Sequence, residues 1–331
     1  MITVCHISTF APTQCGIATY TGDLIANLFR CDSIQLRMAF SLNDLTVDPA
    51  DSELTLAANA ASDREYSTAA EIINNSCCNL VSLQHEFGIF GGSDGEYIAT
   101  FVEGLKKPLV TTLHTVSPVL SQHKIRILDS LVRCSKRIIV LSDEDASVLT
   151  SLVDCPINKI EVIRHGVPET RFSRPADSEI RRLLNASLVF VSAGHVRPAK
   201  GYHLALCALQ HLKQTHKNFK YLILGRTQQQ YEYGSAYREE IRELVKELGL
   251  SEHIIWLEEY LPLSQLIGYI KAADIGLVTY TDEYQASSGV LPLMLSLARP
   301  VVATSFAYAV RMAHRTPGIH LTSTNDPKHL C

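Results

Sequence analysis

Short runs of β-branched and aliphatic residues alternate along this chain with longer stretches in which apolar side chains return every three or four positions. That alternation is the pattern of parallel strands joined by crossover helices, so it predicts an α/β fold. Strand patterns fall at 2–8, 34–39, 80–84, 108–113, 137–141 and 159–163, with helical periodicity over 18–29, 97–106, 121–133 and 143–152. The polar stretch 164–178, with two prolines and one glycine, reads as a hinge. The alternation then restarts, with strands at 188–192, 220–224, 254–257, 275–279 and 300–303 and helices including 237–248 and 264–272. Two Rossmann-like, doubly wound domains are expected, residues 1–170 and 171–331. Sheets of this kind bind ligands beyond the carboxyl ends of their strands, which predicts an active site in a cleft between the halves.

Composition narrows the partners. With 331 residues the chain has room for about two domains at roughly 150 residues each. A formal charge of -4 without a long basic run argues against a nucleic-acid footprint. The nine cysteines are scattered without a CxxC pair, so they read as reduced, mostly buried thiols rather than a disulfide framework or a zinc site. Among the 13 histidines no HExxH occurs, and those from His203 to His216 read as solvated decoration of a helix. No metal site is predicted. The chain opens directly on a strand and has no run of 18 apolar residues, so a cytoplasmic location is expected, with peripheral membrane contact left open.

The most informative segment is the loop after the strand at 188–192. It contains Gly194, Arg197, Lys200 and Gly201, and a helical pattern follows. Two fixed cations beside the N–H groups of a helix start form a pocket for a phosphate dianion. Earlier, Gly16 stands before the first helix, where a missing side chain lets backbone approach a phosphate or sugar; an ordinary helix-start glycine is the bland alternative. Neither GxGxxG nor GxxxxGK[ST] occurs. His114 and His85 each end a strand, in position to project into the mouth of a sheet. Asp143-Glu144-Asp145 has a D-x-D spacing but follows Ser142, so it reads as a helix cap.

Taken together, HGVP (His165 to Pro168), GHVRPAKG (Gly194 to Gly201), YLILG (Tyr221 to Gly225) and AADIGLV (Ala272 to Val278) resemble the glycosyl transferase group 1 family in order and spacing over nearly the whole chain. The resemblance implies the GT-B fold and a retaining, metal-independent transfer from a nucleotide sugar, in a setting such as polysaccharide biosynthesis. No cofactor is implied beyond that donor substrate. It also implies that Gly16 faces the donor and that His114 binds the donor sugar, although Thr115 stands where most relatives carry Asp. His85, with Glu86 and the following glycines, is expected on the acceptor side. The base is expected against backbone near Tyr260 and Leu261.

One loop departs from the family. Relatives carry two glutamates separated by seven residues here, and those positions fall on Gln285 and Leu293. A subset of relatives has Gln followed by SerGly, as in QASSG, so Gln285, Ser288 and Gly289 are expected to orient the donor, with Glu283 as a stand-in carboxylate. Ser288 reads as a helix cap. Relatives also continue past the equivalent of NDPKHL with further helices, so the C-terminal domain is expected to be truncated.

The expected function is a retaining glycosyltransferase of the hexosyltransferase type, with His114, Arg197 and Lys200 as its catalytic residues. Its partners would be a nucleotide sugar and an unknown hydroxyl acceptor: a glycan, a lipid-linked molecule or a small molecule. The alternative is a catalytically weak nucleotide-sugar-binding or partner subunit; an epimerase of the same fold ranks third.

Overall fold

The computed structural model describes residues 2–11, 13–31, 34–41, 55–57, 62–168, 177–227 and 232–322. The chain divides into two compact units, Met1–His165 and Gly166–Cys331. Unit 1 contains β1 (Ile2–Ser8), α1 (Gly16–Leu28), β2 (Ile34–Ser41), β3 (Thr55–Ala57), α2 (Asp63–Asn75), β4 (Leu80–His85), α3 (Tyr97–Gly104), β5 (Leu109–Leu113), α4 (Gln122–Cys134), β6 (Arg137–Val140), α5 (Asp143–Leu152) and β7 (Ile160–Val162). Its seven strands are all parallel, in the order β3-β2-β1-β4-β5-β6-β7. The chain leaves β1 toward one edge and returns to β4 on the other side of it. The loops after β1 and β4 therefore diverge and leave an opening at the carboxyl end.

Unit 2 repeats the plan with α6 (Asp177–Leu184), β8 (Leu188–Ala193), α7 (Tyr202–Leu212), β9 (Phe219–Leu224), α8 (Glu232–Glu247), β10 (Ile254–Leu257), α9 (Leu263–Ala272), β11 (Ile275–Val278), α10 (Val290–Ser296), β12 (Val301–Thr304), α11 (Ala307–Arg315) and β13 (Ile319–Thr322). Its strand order is β10-β9-β8-β11-β12-β13, again parallel, so the switch point lies between β8 and β11.

The two sheets bury their faces differently. In unit 2, successive residues of β8 feed opposite cores: Val189 and Val191 pack with Leu222 and Ile270, while Phe190 packs with Tyr221, Leu206 and Ile241. Both faces are hydrocarbon, as expected for a parallel sheet covered on both sides. In unit 1 the odd-numbered residues of β1 and β4 (Cys5, Ile7, Val81, Leu83) join one large apolar core with Phe101, Leu128 and Leu131. The other face buries polar groups: His6, Ser8, Gln84, Thr112 and His114 are all at most 5% exposed.

Several expectations need correction. The stretch 164–178 contains the start of α6, and the strand patterns missed β3 and β13 while the helical ones missed α2 and α11. Of the described cysteines, all unpaired, only Cys5, Cys78 and Cys155 are buried, and Cys31 and Cys77 are exposed. His203 is half-buried with Nδ1 3.3 Å from the Tyr237 hydroxyl, and His216 Nε2 lies 3.0 Å from Ser187 Oγ, so this helix does not simply carry solvated rings. The segment after residue 322 lies outside the described residues. Among those residues no helix is long and apolar enough to cross a membrane.

Candidate active site

At the switch point of unit 2 the loop after β8 is fastened to the loop after β11. Thr281 N donates to Ala199 O at 3.1 Å, and Thr279 Oγ1 donates to Gly201 O at 2.9 Å. Gly201 has φ +63, and a Cβ there would collide with the Thr279 carbonyl oxygen. Only glycine allows this close approach. A tight 3-10 turn, Pro198–Lys200, with Arg197 as its N-cap residue, is thereby held in place.

Lys200 turns inward. Its Nζ sits 3.5 Å from the centroid of the Tyr280 ring. Burial pulls its pKa below the usual lysine value, Tyr280 pulls it back up, and the nearby Arg197 charge pushes it down again. Arg197 is partly buried, and its Nε finds no hydrogen-bond partner among the described residues. Two cations thus share one recess, and an anion between them would relieve both. The expected contribution of helix N–H groups is reduced: the Tyr237 hydroxyl lies against the His203 and Tyr202 backbone N–H groups at the start of α7.

The loop from Tyr280 to Gly289 is anchored by α11. Glu283 O and Gln285 O accept from Ala307 N at 2.8 Å and Tyr308 N at 3.2 Å, and Ala286 O accepts from Arg311 Nη2 at 2.6 Å. Orphan donors of the α11 start thereby fix the loop. The Gln285 side chain donates through Nε2 to Ser287 O at 3.1 Å, and Glu283 is exposed. Ser288 is buried, one residue before the N-cap of α10 rather than at it; its Oγ accepts from Leu291 N at 3.3 Å and lies 3.2 Å from the Tyr280 hydroxyl. Gly289 is exposed at the N-cap of α10. Leu293 belongs to the apolar core of unit 2, which explains why no carboxylate stands there.

The mouth of unit 1 holds neutral groups and a carboxylate. His114 directly follows β5, and its Nε2 donates to Gln84 Oε1 at 3.0 Å, with both side chains buried. The Tyr20 ring packs edge-on against it at 4.7 Å and against His165 at 5.2 Å. Burial, helped by His165, pulls the His114 pKa down to about 3, so the ring is neutral at any ordinary pH. Beside it Thr115 Oγ1 donates to Glu86 Oε2 at 2.6 Å, and Glu86 Oε1 accepts from Phe87 N at 2.9 Å. A carboxylate from the neighbouring strand end is thus joined to Thr115.

Gly16 is the first residue of α1 rather than the one before it, and a Cβ there would meet nothing within 4 Å. The fold therefore does not require glycine at this position, contrary to the bland reading. His85 is corrected outright as a lining residue. Its ring has no exposed surface, packing against Phe87 at 4.8 Å and stacking on Phe90 at 5.9 Å. Asp143 begins α5, and Ser142 Oγ accepts from Asp145 N at 3.0 Å, the capping arrangement its sequence implies.

Comparison with known proteins finds a family likeness in unit 2. Residues 173–305, which include Arg197, Lys200 and the Tyr280 to Gly289 loop, match the family Glycosyl transferases group 1. Over that stretch the chain is similar to group 1 glycosyl transferases. WcaL of Escherichia coli strain K12, named for a glycosyltransferase role in colanic acid biosynthesis, is 25% identical over 250 residues, 74% of this chain and 55% of WcaL. Glycogen synthase of Mycobacterium tuberculosis is 29% identical over 156 residues, 44% of this chain and 37% of that protein. The chain therefore spans about half the length of these curated relatives or less. The crystal structure of Anabaena Alr3699/HepE in complex with UDP-glucose aligns with all of this chain and 88% of that one, at a TM-score of 0.77 and 18% identity. That likeness establishes the fold, which is of the GT-B type, with two parallel-sheet units.

Within unit 2 the structure brings Arg197, Lys200 and Ser288 to one recess, with Gln285 and Gly289 on the same anchored loop. In unit 1, Gly16 and His114 follow β1 and β5. Sequence reasoning missed Tyr280, which touches both Lys200 and Ser288. A tyrosine just past an apolar strand carries no signal that distinguishes it from core.

Proposed function

We propose that this chain is a retaining glycosyltransferase that moves a sugar from a nucleotide-diphosphate sugar to an acceptor hydroxyl. The observation that carries the reading is the recess of Arg197 and Lys200 at the unit 2 switch point. As the bond from the sugar carbon to the diphosphate oxygen breaks, negative charge grows on the leaving group, and fixed cations stabilise that charge more than the ground state. Arg197 offers a forked donor set and Lys200 a compact charge. The departing phosphate oxygen takes the proton of the acceptor hydroxyl as the new glycosidic bond forms on the same face. No metal is needed when two side-chain cations hold the diphosphate. Gln285, Ser288 and Gly289 orient the donor, with Glu283, exposed on the same loop, as a stand-in carboxylate for ribose hydroxyls.

His114 is suited to hydrogen bonding and not to proton transfer at neutral pH, which fits contact with a sugar hydroxyl. The acceptor is a hydroxyl-bearing glycan, lipid-linked molecule or small molecule, and the setting is the cytoplasm. The names of the relatives point to polysaccharide synthesis, and the UDP-glucose in the Anabaena structure puts UDP-sugars first among donors.

A thermal-shift screen of UDP-, GDP- and ADP-sugars tests this reading, because a bound ligand raises the unfolding temperature with its occupancy. One donor is expected to stabilise the chain, and that donor should then release free nucleotide on incubation. Stabilisation without release would instead favour the second reading, a nucleotide-sugar-binding subunit, for which Leu293 in the core and the Gln285 amide turned onto Ser287 are the motivating observations. No stabilisation by any of the three would contradict both.

A further inference from the structure

We propose that Tyr280 is the positioning residue of the diphosphate site, holding the Lys200 ammonium against its ring face so that the cation is in place before ligand arrives. This deepens the reading of the unit 2 recess and rests on it.

The ring is fixed on every side that matters. It stacks on Phe306 at 4.7 Å with an interplanar angle of 29°. Its backbone carbonyl accepts from Thr304 Oγ1 at 2.6 Å, and its hydroxyl lies 3.2 Å from Ser288 Oγ. Both partners are buried, with Tyr280 4% and Phe306 0% exposed. The plane offered to Lys200 is therefore preorganised. The lysine backbone is equally constrained, because Thr281 N and Thr279 Oγ1 tie the Ala199 to Gly201 turn to the same strand end. A flexible four-carbon stem is thus stretched between two fixed points, and the 3.5 Å separation follows from the frame.

A recess that takes ammonium out of water needs something to compensate it. The groups facing Lys200 are Tyr280, Arg197 and Asp282; Tyr280 in turn faces Ser288 and Arg197. Burial and Arg197 push toward the neutral amine; Tyr280, whose hydroxyl also hydrogen-bonds Lys200, and Asp282 push toward the ammonium. An aromatic face attracts a cation without neutralising it and presents no carboxylate that would compete with a phosphate. Asp282 is exposed, and its effect on Lys200 is the smallest of these. Tyr280 therefore keeps Lys200 protonated and leaves its charge for the ligand. Removing the ring should lower the pH at which Lys200 loses its proton, and diphosphate affinity should fall at that lower pH.

The test titrates inorganic pyrophosphate calorimetrically into the full chain between pH 7 and 10, comparing wild type with Tyr280→Phe and Tyr280→Leu. Tyr280→Phe keeps the ring and loses the hydroxyl contact, so it should bind within about threefold of wild type, with its alkaline limb between those of wild type and Tyr280→Leu. Tyr280→Leu should bind at least tenfold more weakly at pH 8, with the limb about one pH unit lower. Equal binding by Tyr280→Leu, or equal loss in Tyr280→Phe and Tyr280→Leu with an unmoved limb, would overturn the proposal and leave the residue a structural one. If Tyr280→Leu does not fold, Tyr280→Met, an apolar chain of similar length, is read in its place. Side-chain amine NMR of 15N-lysine protein, with Lys200→Arg to assign the signal, gives the Lys200 titration directly. Should wild type bind no pyrophosphate, the reading of the recess fails, while a Lys200 titration lower in Tyr280→Leu than in wild type still decides for the ring, and an unchanged one against it.

Discussion

At the switch point of unit 1 the polar groups include the buried His6, Gln84 and His114, all uncharged; at that of unit 2 they include the partly buried Lys200 and Arg197, two cations in one recess. Both openings arise from the same topological event, a parallel sheet whose chain reverses direction after its first strand and its neighbours. Topology thus fixes where a ligand goes, and the residues at the strand ends fix what it is. An opening with neutral hydrogen-bonding groups suits sugar hydroxyls, and one with paired cations suits a diphosphate. The difference extends below the surface: unit 2 buries hydrocarbon on both faces of its sheet, whereas unit 1 gives one face to polar groups, with His6 Nδ1 and Gln84 Nε2 lacking partners among the described residues.

The comparison breaks most sharply at Gly201. Gly201→Ala forces a side chain into a left-handed backbone position and onto the Thr279 carbonyl. Unit 2 should lose about 2–4 kcal/mol of stability. The single tryptophan, Trp256 in β10, reports this unit alone, so its urea midpoint should fall. An unchanged midpoint would mean that the two loops are not bound as tightly as described.

Acid should separate the units next. In the folded chain burial holds His6 down to about 4, and His85 and His114 down to about 3. Unfolded histidine takes up its proton near 6.5, so between that value and about 3 the unfolded state binds more protons and stability falls as pH falls. Each of these three rings costs up to about 1.4 kcal/mol per pH unit in that window. In unit 2 the half-buried His203 is held below its usual value by burial. On titration from pH 7 to 4, loss of helical circular dichroism should precede the change in Trp256 fluorescence. Coincident transitions, or the reverse order, would remove the electrostatic distinction between the units.

The smallest effect is expected at Gly16. With open space around a would-be Cβ, Gly16→Ala should leave stability unchanged or raise it by up to about 1 kcal/mol, since alanine favours helix. Turnover should nevertheless drop several-fold, because the space serves a ligand. Unchanged turnover would return Gly16 to ordinary helix punctuation.

Much of this was readable in the sequence, and the failures have physical causes. The strands at 2–8 and 254–257 and the helix at 143–152 fall where the apolar pattern places them, because buried parallel strands and capped helices leave strong local signals. The helix α2 has a capping box from Ser62 and Glu65 and buries Tyr66, Ala69, Ala70 and Ile73 at helical spacing, but its small apolar residues weaken the periodicity. The histidines are the instructive pair. His85 and His114 both end strand patterns, yet His85 pairs with Leu113, one residue short of His114. A one-residue offset turns a strand side chain to the other face, so one ring lies in the apolar core and the other in the polar face. Only the register separates them. The contact between Lys200 and Tyr280 is beyond local pattern altogether, because it depends on β8 and β11 becoming neighbours.

The most direct measurement is calorimetric titration of UDP, GDP and ADP into the chain and into Lys200→Ala, with EDTA present. One of the three should bind wild type, and Lys200→Ala should weaken it about 100-fold, roughly 2.7 kcal/mol, without lowering the unfolding temperature. Equal affinity in both proteins, or no binding of any diphosphate to wild type, would contradict the assignment of the unit 2 recess.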